Sequence, residues 1–231
     1  MRKIFLFALP ALFAFSSCRY VTGERIHGNG NVKTETRSPG NFRSVASYGS
    51  FNVYVSSGDQ SLKIEAEENL LPYIETYIDG STLHIGTKDN YWLRPSRDVK
   101  IFVSLPDFES IRSYGSGDII GQSKITNLSK LLVEGNGSAN IKMEVEAPGI
   151  DAETNGSGDI DLKGSTQSWD GEIHGRGNIR AADLRAENAT IKIYGSGDAD
   201  VFASSKLDIN RAGSGDVRYR GDAQVSSSIA G

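Results

Sequence analysis

Cysteine is nearly absent from this 231-residue chain. Cys18 is the only one, so neither a disulfide framework nor a cysteine-based zinc site can hold the fold together. Proline is scarce as well, at 6 residues, and the 26 glycines follow no triplet period, which excludes collagen-like and proline-rich linker readings. Basic residues are in deficit, 25 Lys and Arg against 29 Asp and Glu, so a nucleic-acid partner is not expected. A hydrophobic share of 38% with 23% charged residues excludes disorder and suffices for one large core or two small ones. The excess glycine must therefore serve turns.

The first seventeen residues, MRKIFLFALPALFAFSS, place Arg2 and Lys3 ahead of an apolar run from Ile4 to Phe15 and then small residues. That is the layout of a secretory signal peptide, and the run is too short to anchor the chain by spanning a bilayer. Phe15-Ser16-Ser17-Cys18 resembles a bacterial lipobox, with Phe15 where Leu or Val is usual. Acylated Cys18 would then tether the mature chain, each buried CH₂ contributing about 0.8 kcal/mol. Cleavage after residue 17 removes two basic residues and leaves 23 against 29, a net charge of −6.

A six-residue motif recurs. Aligned on its first glycine it reads HGNGNV at Gly28, YGSFNV at Gly49, YGSGDI at Gly115, NGSANI at Gly137, NGSGDI at Gly156, HGRGNI at Gly175, YGSGDA at Gly195 and AGSGDV at Gly213. The last six copies are 22, 19, 19, 20 and 18 residues apart. A period near twenty marks a solenoid whose coils bury their apolar sides only by stacking on one another. Apolar or small residues alternate with polar ones before the glycine (Ile191 and Ile193, Ala152 and Thr154) and after it (Ile160 and Leu162, Val217 and Tyr219). Two short strands thus meet at each glycine corner. Five residues after the glycine, successive coils carry Lys142, Asp161, Arg180, Asp200 and Arg218. Strict alternation of sign is what in-register parallel stacking favours, because such residues lie about 4.8 Å apart on neighbouring rungs. The expected fold is all-β, a right-handed parallel β-helix, with the handedness taken from the general crossover preference.

Residues 54–111 break the period. They read as strands at 61–66, 82–86 and 99–105, a short helix around 69–77 and a hairpin turn at Asp79-Gly80. The expected organisation is a signal peptide over 1–17, a tether over 18–27, an irregular and partly antiparallel β half over 28–107, and regular solenoid over 108–231. At the end "IAG" echoes "RAG" at 211–213, so either the sequence is truncated at the opening of a ninth copy or something else covers the last coil.

The repeated motif invites chemical readings. A phosphate cradle needs a helix after the glycines, and none follows any copy. A calcium β-roll repeats every nine residues rather than about twenty. The column three after the glycine (Asn31, Asn52, Asp118, Asn140, Asp159, Asn178, Asp198, Asp216) is explained by Asn and Asp bonding nearby backbone N–H groups in turns. The column just before the glycine holds Tyr48, Tyr114, Tyr194, His27, His174, Asn136 and Asn155, which pack beside the turn and offer rings to a sugar. Three before the glycine, Glu134, Glu153 and Glu172 stack between Arg112 and Lys192, a repulsive arrangement unless solvent or a cation intervenes. The candidate binding face is therefore Glu134, Glu153, Glu172, Tyr114 and Tyr194, with no cofactor and no assigned metal. Polysaccharide-active β-helix enzymes remain the rival class, although two of the only three histidines, His27 and His174, sit in repeat corners and the coils lack a cleft-forming insertion.

The lipobox, the GSGD corners, "LKIEAEENLLPYIETYIDGSTLHI" at 62–85 and "VKIFVSLPDFESI" at 99–111 together resemble the putative auto-transporter adhesin, head GIN domain family, over residues 30–231. The resemblance implies a right-handed β-helix of the bacterial envelope with no defined catalytic residues. Nothing after Gly213 could form a translocating barrel, so lipid anchoring to the outer membrane is the expected route. No acidic run follows Cys18, which leaves the periplasmic and outer faces both open. A non-enzymatic, adhesin-like binding module with a protein or glycan partner is expected, with a periplasmic architectural subunit as a further alternative.

Overall fold

The computed structural model describes residues 23–230, with side chains described to 229; the expected signal peptide over 1–17 and Cys18 lie outside the described residues. The chain is nearly all strand, with a solenoid of about 6 turns above a mixed, partly antiparallel N-terminal sheet. Each regular coil is built from two strand segments separated by the glycine corner and by a second bend.

One wall stacks Ser44–Gly49, Ser110–Gly115 and Leu131–Gly137 in parallel register, and the second halves of the long strands Ile141–Gly156, Ile160–Gly175 and Ile179–Ile193 continue it. Lys206–Ala212 and Gln224–Ala230 extend the same wall. The other wall stacks Asn52–Ser57, Ile119–Thr126, the first halves of those long strands, Ala199–Phe202 and Val217–Arg220. Apolar residues fill the interior in ladders. Val53, Ile119, Ile141, Ile160, Ile179 and Ala199 sit directly over one another and are essentially sealed from solvent. β-Branched side chains suit such stacks because their stiff rotamers pack on the pleat without further ordering cost. Size is traded locally. A Cβ on Gly171 would lie 2.5 Å from the Trp169 ring, so the buried indole occupies the room its neighbour leaves.

The glycine corners have a steric cause. On Gly137 (φ 128°) a Cβ would come within 2.5 Å of the Gly115 carbonyl oxygen, and on Gly158 within 1.9 Å of that of Ala139. The carbonyl so approached is in use: Gly115 O accepts from the Ser138 backbone N–H at 3.0 Å.

The break in the period has a simple geometry. After Ser57 the chain does not climb; it goes beneath. Thr82–Thr87 lies under Ser44–Gly49, and Lys100–Leu105 lies under Asn52–Ser57, both in parallel. Antiparallel strands close this lower end: Ser61–Glu67 pairs with Lys100–Leu105, Val32–Arg37 with Ser61–Glu67, and Ile74–Asp79 with Thr82–Thr87 around Asp79-Gly80. Gly49 and Gly115, far apart in sequence, are consequently direct neighbours, with Ser116 N donating to Gly49 O at 2.8 Å. The helix expected around 69–77 is instead one 3₁₀ turn, Leu71–Tyr73, followed by strand. Pro72 starts the turn, and Ile74, Thr76, Tyr77 and Ile78 are strand formers that complete a cap rather than a helix. Within the segment expected as tether, Glu24–His27 forms a strand, paired in parallel with Tyr91–Arg94 in a separate two-stranded sheet.

Candidate functional site

Glu134, Glu153 and Glu172 project from one wall as an in-register column, with Arg112 on the rung before and Lys192 on the rung after. The cations bind the ends of the column: Arg112 Nε donates to Glu134 at 3.0 Å, and Lys192 Nζ to Glu172 at 3.3 Å. Each carboxylate also has a partner two residues on, with Asn136 and Asn155 amides donating to Glu134 and Glu153 at 2.6 and 2.7 Å. His174 Nε2 lies 2.7 Å from Glu172. Burial pushes the Glu172 carboxyl up, but His174 and Lys192 outweigh it and hold the group below its usual range. Among the described residues no cluster of three metal-ligating side chains occurs. The repulsion foreseen within the column is thus met by paired side chains.

Tyr114 and Tyr194 lie on the same wall but in separate aromatic stacks. Tyr48 and Tyr114 stack at 4.9 Å, and His84 stacks on Tyr48 at 5.7 Å and on Tyr77 at 4.9 Å. Four rings from four strands therefore form one pile across the lower end. His174 and Tyr194 form a second pile at 4.9 Å. Asn136 and Asn155 occupy the rungs between. Rings that stack on each other present mainly edges to solvent, so only the end faces of each pile are open to a flat ligand. Burial raises the Tyr114 phenol above its usual value, and the Glu134 carboxylate adds to the effect.

The Asn and Asp column at the corner does more than local turn chemistry. Each side-chain oxygen accepts from the backbone N–H one rung on: Asp118 to Asn140 at 2.8 Å, Asn140 to Asp159 at 3.2 Å, Asp159 to Asn178 at 2.8 Å, Asn178 to Asp198 at 2.9 Å and Asp198 to Asp216 at 2.9 Å. Amides alternate with carboxylates, so Asn178 Nδ2 also donates to Asp159 at 2.9 Å. Where two carboxylates do become neighbours, at Asp198 and Asp216, Arg218 and Arg211 stand beside them at 3.3 and 3.2 Å. Burial pushes the Asp159 carboxyl up, yet the Asn178 backbone N–H, Arg180 and the Asn178 amide keep it below its ordinary value. The column is a structural ladder.

A groove escaped the reading of the repeats because the irregular segment supplies one of its walls, set against the corners at Gly49 and Gly115. Of about 530 Å³, it is lined by Tyr48, Phe51 and Pro95 and by Tyr91, Trp92 and Leu93, with no charged side chain. The available signal was the aromatic pair Tyr91-Trp92 directly after Asn90, which turns at φ 66°.

The family model described as putative auto-transporter adhesin, head GIN domain, matches residues 41–223. This chain belongs to that family. Its description names a putative adhesin and no enzyme, and the present member is accordingly an adhesin-like module of the cell envelope or surface. The fold is that of a putative adhesin from Bacteroides fragilis (23% identity, TM-score 0.81, 88% of this chain and 94% of the other). It is also that of a putative adhesin from Parabacteroides merdae (22%, TM-score 0.69, 90% and 96%). A structure from Parabacteroides distasonis described as a putative lipid binding protein is similar at 25% identity and TM-score 0.68, over 89% and 96%. No curated protein matches the chain.

Proposed function

We propose that this head GIN domain protein is a lipid-anchored, non-enzymatic binding module, held to the outer membrane through acylated Cys18 and meeting a macromolecular ligand with one wall of its solenoid. The observation that carries the reading is the register of that wall. Glu134, Glu153 and Glu172 run parallel to the Tyr114, Asn136, Asn155, His174, Tyr194 column, and both are fixed by the strand ladder beneath. Such a face needs little ordering on contact, which favours recognition of an extended partner. A glycan suits it because Asn, Glu and ring edges offer many hydrogen bonds over several rungs. Catalysis is disfavoured by the pairing of every carboxylate of the column with a neighbouring side chain.

The test is retention on a glycan panel by the parent chain and by Tyr114→Ala and Glu153→Gln, with reducing-end release measured in parallel. Retention that both substitutions weaken supports the reading, and release of reducing ends would replace it with a polysaccharide-active enzyme. Protease shaving of intact against lysed cells, with mass spectrometry of Cys18, decides the membrane face. Protection until lysis, together with no glycan retention, would favour a periplasmic architectural subunit.

A further inference from the structure

The two-stranded sheet of Glu24–His27 and Tyr91–Arg94 has one half-buried face, carrying Ile26, Tyr91 and Leu93, and one exposed face. In-register partners in a parallel pair point the same way. Arg25 opposite Trp92 and His27 opposite Arg94 therefore share the exposed face, on which no carboxylate stands. Trp92 is 52% exposed, whereas the only other tryptophan, Trp169, is 1% exposed in the core. Many cations of the solenoid are paired, but Arg25, Arg94, the following Arg97 and the preceding Lys88 form no salt bridge among the described residues. Asp89 and Asp98, both exposed, adjoin Lys88 and Arg97 in sequence, and exposed Glu24, opposite Tyr91, belongs to the other face of the small sheet. A basic aromatic patch has thus been set on an otherwise acidic chain.

The patch is also held in place. Glu67, fully buried, accepts from Gly30 N at 2.5 Å, Ser96 N at 2.8 Å and Ser96 Oγ at 2.6 Å. Both strands of the small sheet are therefore clamped just beyond their ends. The indole lies against the chain at Gly23, where a Cβ would meet Trp92 Nε1 at 2.2 Å. Gly23 follows Cys18 by five positions, a reach of at most about 18 Å.

We propose that Trp92, Arg25 and Arg94 form a membrane-contact patch that rests in the lipid headgroup layer beside the anchor, turning the lower end of the solenoid toward the bilayer and the coils after residue 131 away from it. Tryptophan is at home at that interface, and arginines near the surface are attracted by anionic headgroups. The inference rests on acylation at Cys18, since the short tether is what brings the patch within reach. It adds an orientation that an anchor alone does not supply.

The full chain, purified in acylated form, is bound to vesicles of phosphatidylethanolamine and phosphatidylglycerol whose acyl chains carry bromine, and tryptophan emission is followed. Buried Trp169 supplies a constant background and a check on folding. The expected result is bromine quenching that disappears in Trp92→Phe, and that salt or the double change Arg25→Gln, Arg94→Gln weakens while flotation persists. Flotation without quenching of Trp92 would overturn the patch and leave the anchor standing. A parent chain that neither floats nor is quenched would overturn both.

Discussion

The regular coils and the lower end solve the same problem by opposite means. Above residue 110 each coil is stabilised by sameness: glycine over glycine, isoleucine over isoleucine, amide over carboxylate. Below it, stability comes from unlike parts, with antiparallel strands, a 3₁₀ turn and a buried carboxylate closing the stack. An open solenoid end presents a row of unpaired backbone groups. The lower end covers that row with strands rich in charge, Val32–Arg37 and Ile74–Asp79, that run against the parallel grain. Repetition builds length, and irregularity is needed to stop it.

Glycine substitution should separate the two regions most sharply. Gly158→Val must displace the Ala139 carbonyl and is expected to cost more than about 4 kcal/mol in denaturant unfolding or to prevent folding altogether. Gly80→Ala, in the cap hairpin at φ 59° with open space around it, should cost only about 1 kcal/mol. Equal effects would show that the corners do not depend on backbone approach. Next, Ile160→Ala should destabilise by about 2–5 kcal/mol, because rungs above and below prevent the cavity from collapsing.

A smaller effect is expected at the corner ladder. Asn178→Asp removes the amide donor to Asp159 and sets carboxylates on four successive rungs, from Asp159 to Asp216. Like charges on adjacent rungs disfavour the ionised carboxyls of the folded variant relative to the parent protein, so the loss should be greatest near neutral pH and shrink as the pH falls through the ordinary carboxylate range. Unfolding midpoints measured across that range test the sign.

Glu67 should behave oppositely. The Ser96 hydroxyl first, and then the backbone N–H groups of Gly30, Ser96 and Arg97, hold its carboxyl below the usual value despite burial. Its contribution is therefore present above the unfolded glutamate pKa and lost as the pH falls through the lower folded value. Hydrogen exchange at Arg25–His27 should speed up in that acid window in the parent chain and already at neutral pH in Glu67→Gln. The smallest change belongs to the exposed pairs: Arg180→Gln should alter stability by about 1 kcal/mol or less.

What was legible in the sequence follows the same division. The period, the two strands per coil and the sign alternation at Lys142, Asp161, Arg180, Asp200 and Arg218 all reappear as register. Repeats report stacking because each position is seen several times. The glutamate column was legible for that reason too. The side-chain bonds that quiet it were not, since the recurring spacing shows that Glu134 and Asn136, Glu153 and Asn155, and Glu172 and His174 share a face, not that their side chains turn toward each other. Residues 54–111 could be divided into strands but not placed, because nothing in a local pattern says that Thr82–Thr87 goes beneath Ser44–Gly49 rather than above it. The alternation of Asn and Asp was visible as a column, yet its bonds run between rungs instead of within one turn.

The direct seating of Gly115 on Gly49 carries a consequence for how the molecule is assembled in time. Equivalent corner positions there are 66 residues apart, against 19 for a later pair. The equilibrium entropy of closing the longer loop exceeds that of the shorter by only about 1 kcal/mol. Its kinetic meaning is larger. The strand at 110 has no platform until the chain has gone out through residue 105 and returned, whereas each later coil finds a finished template directly below. Folding should therefore show one slow nucleating step confined to residues 32–115, followed by fast upward propagation, and coils could be added or lost above that nucleus with little change in the rate of the slow step.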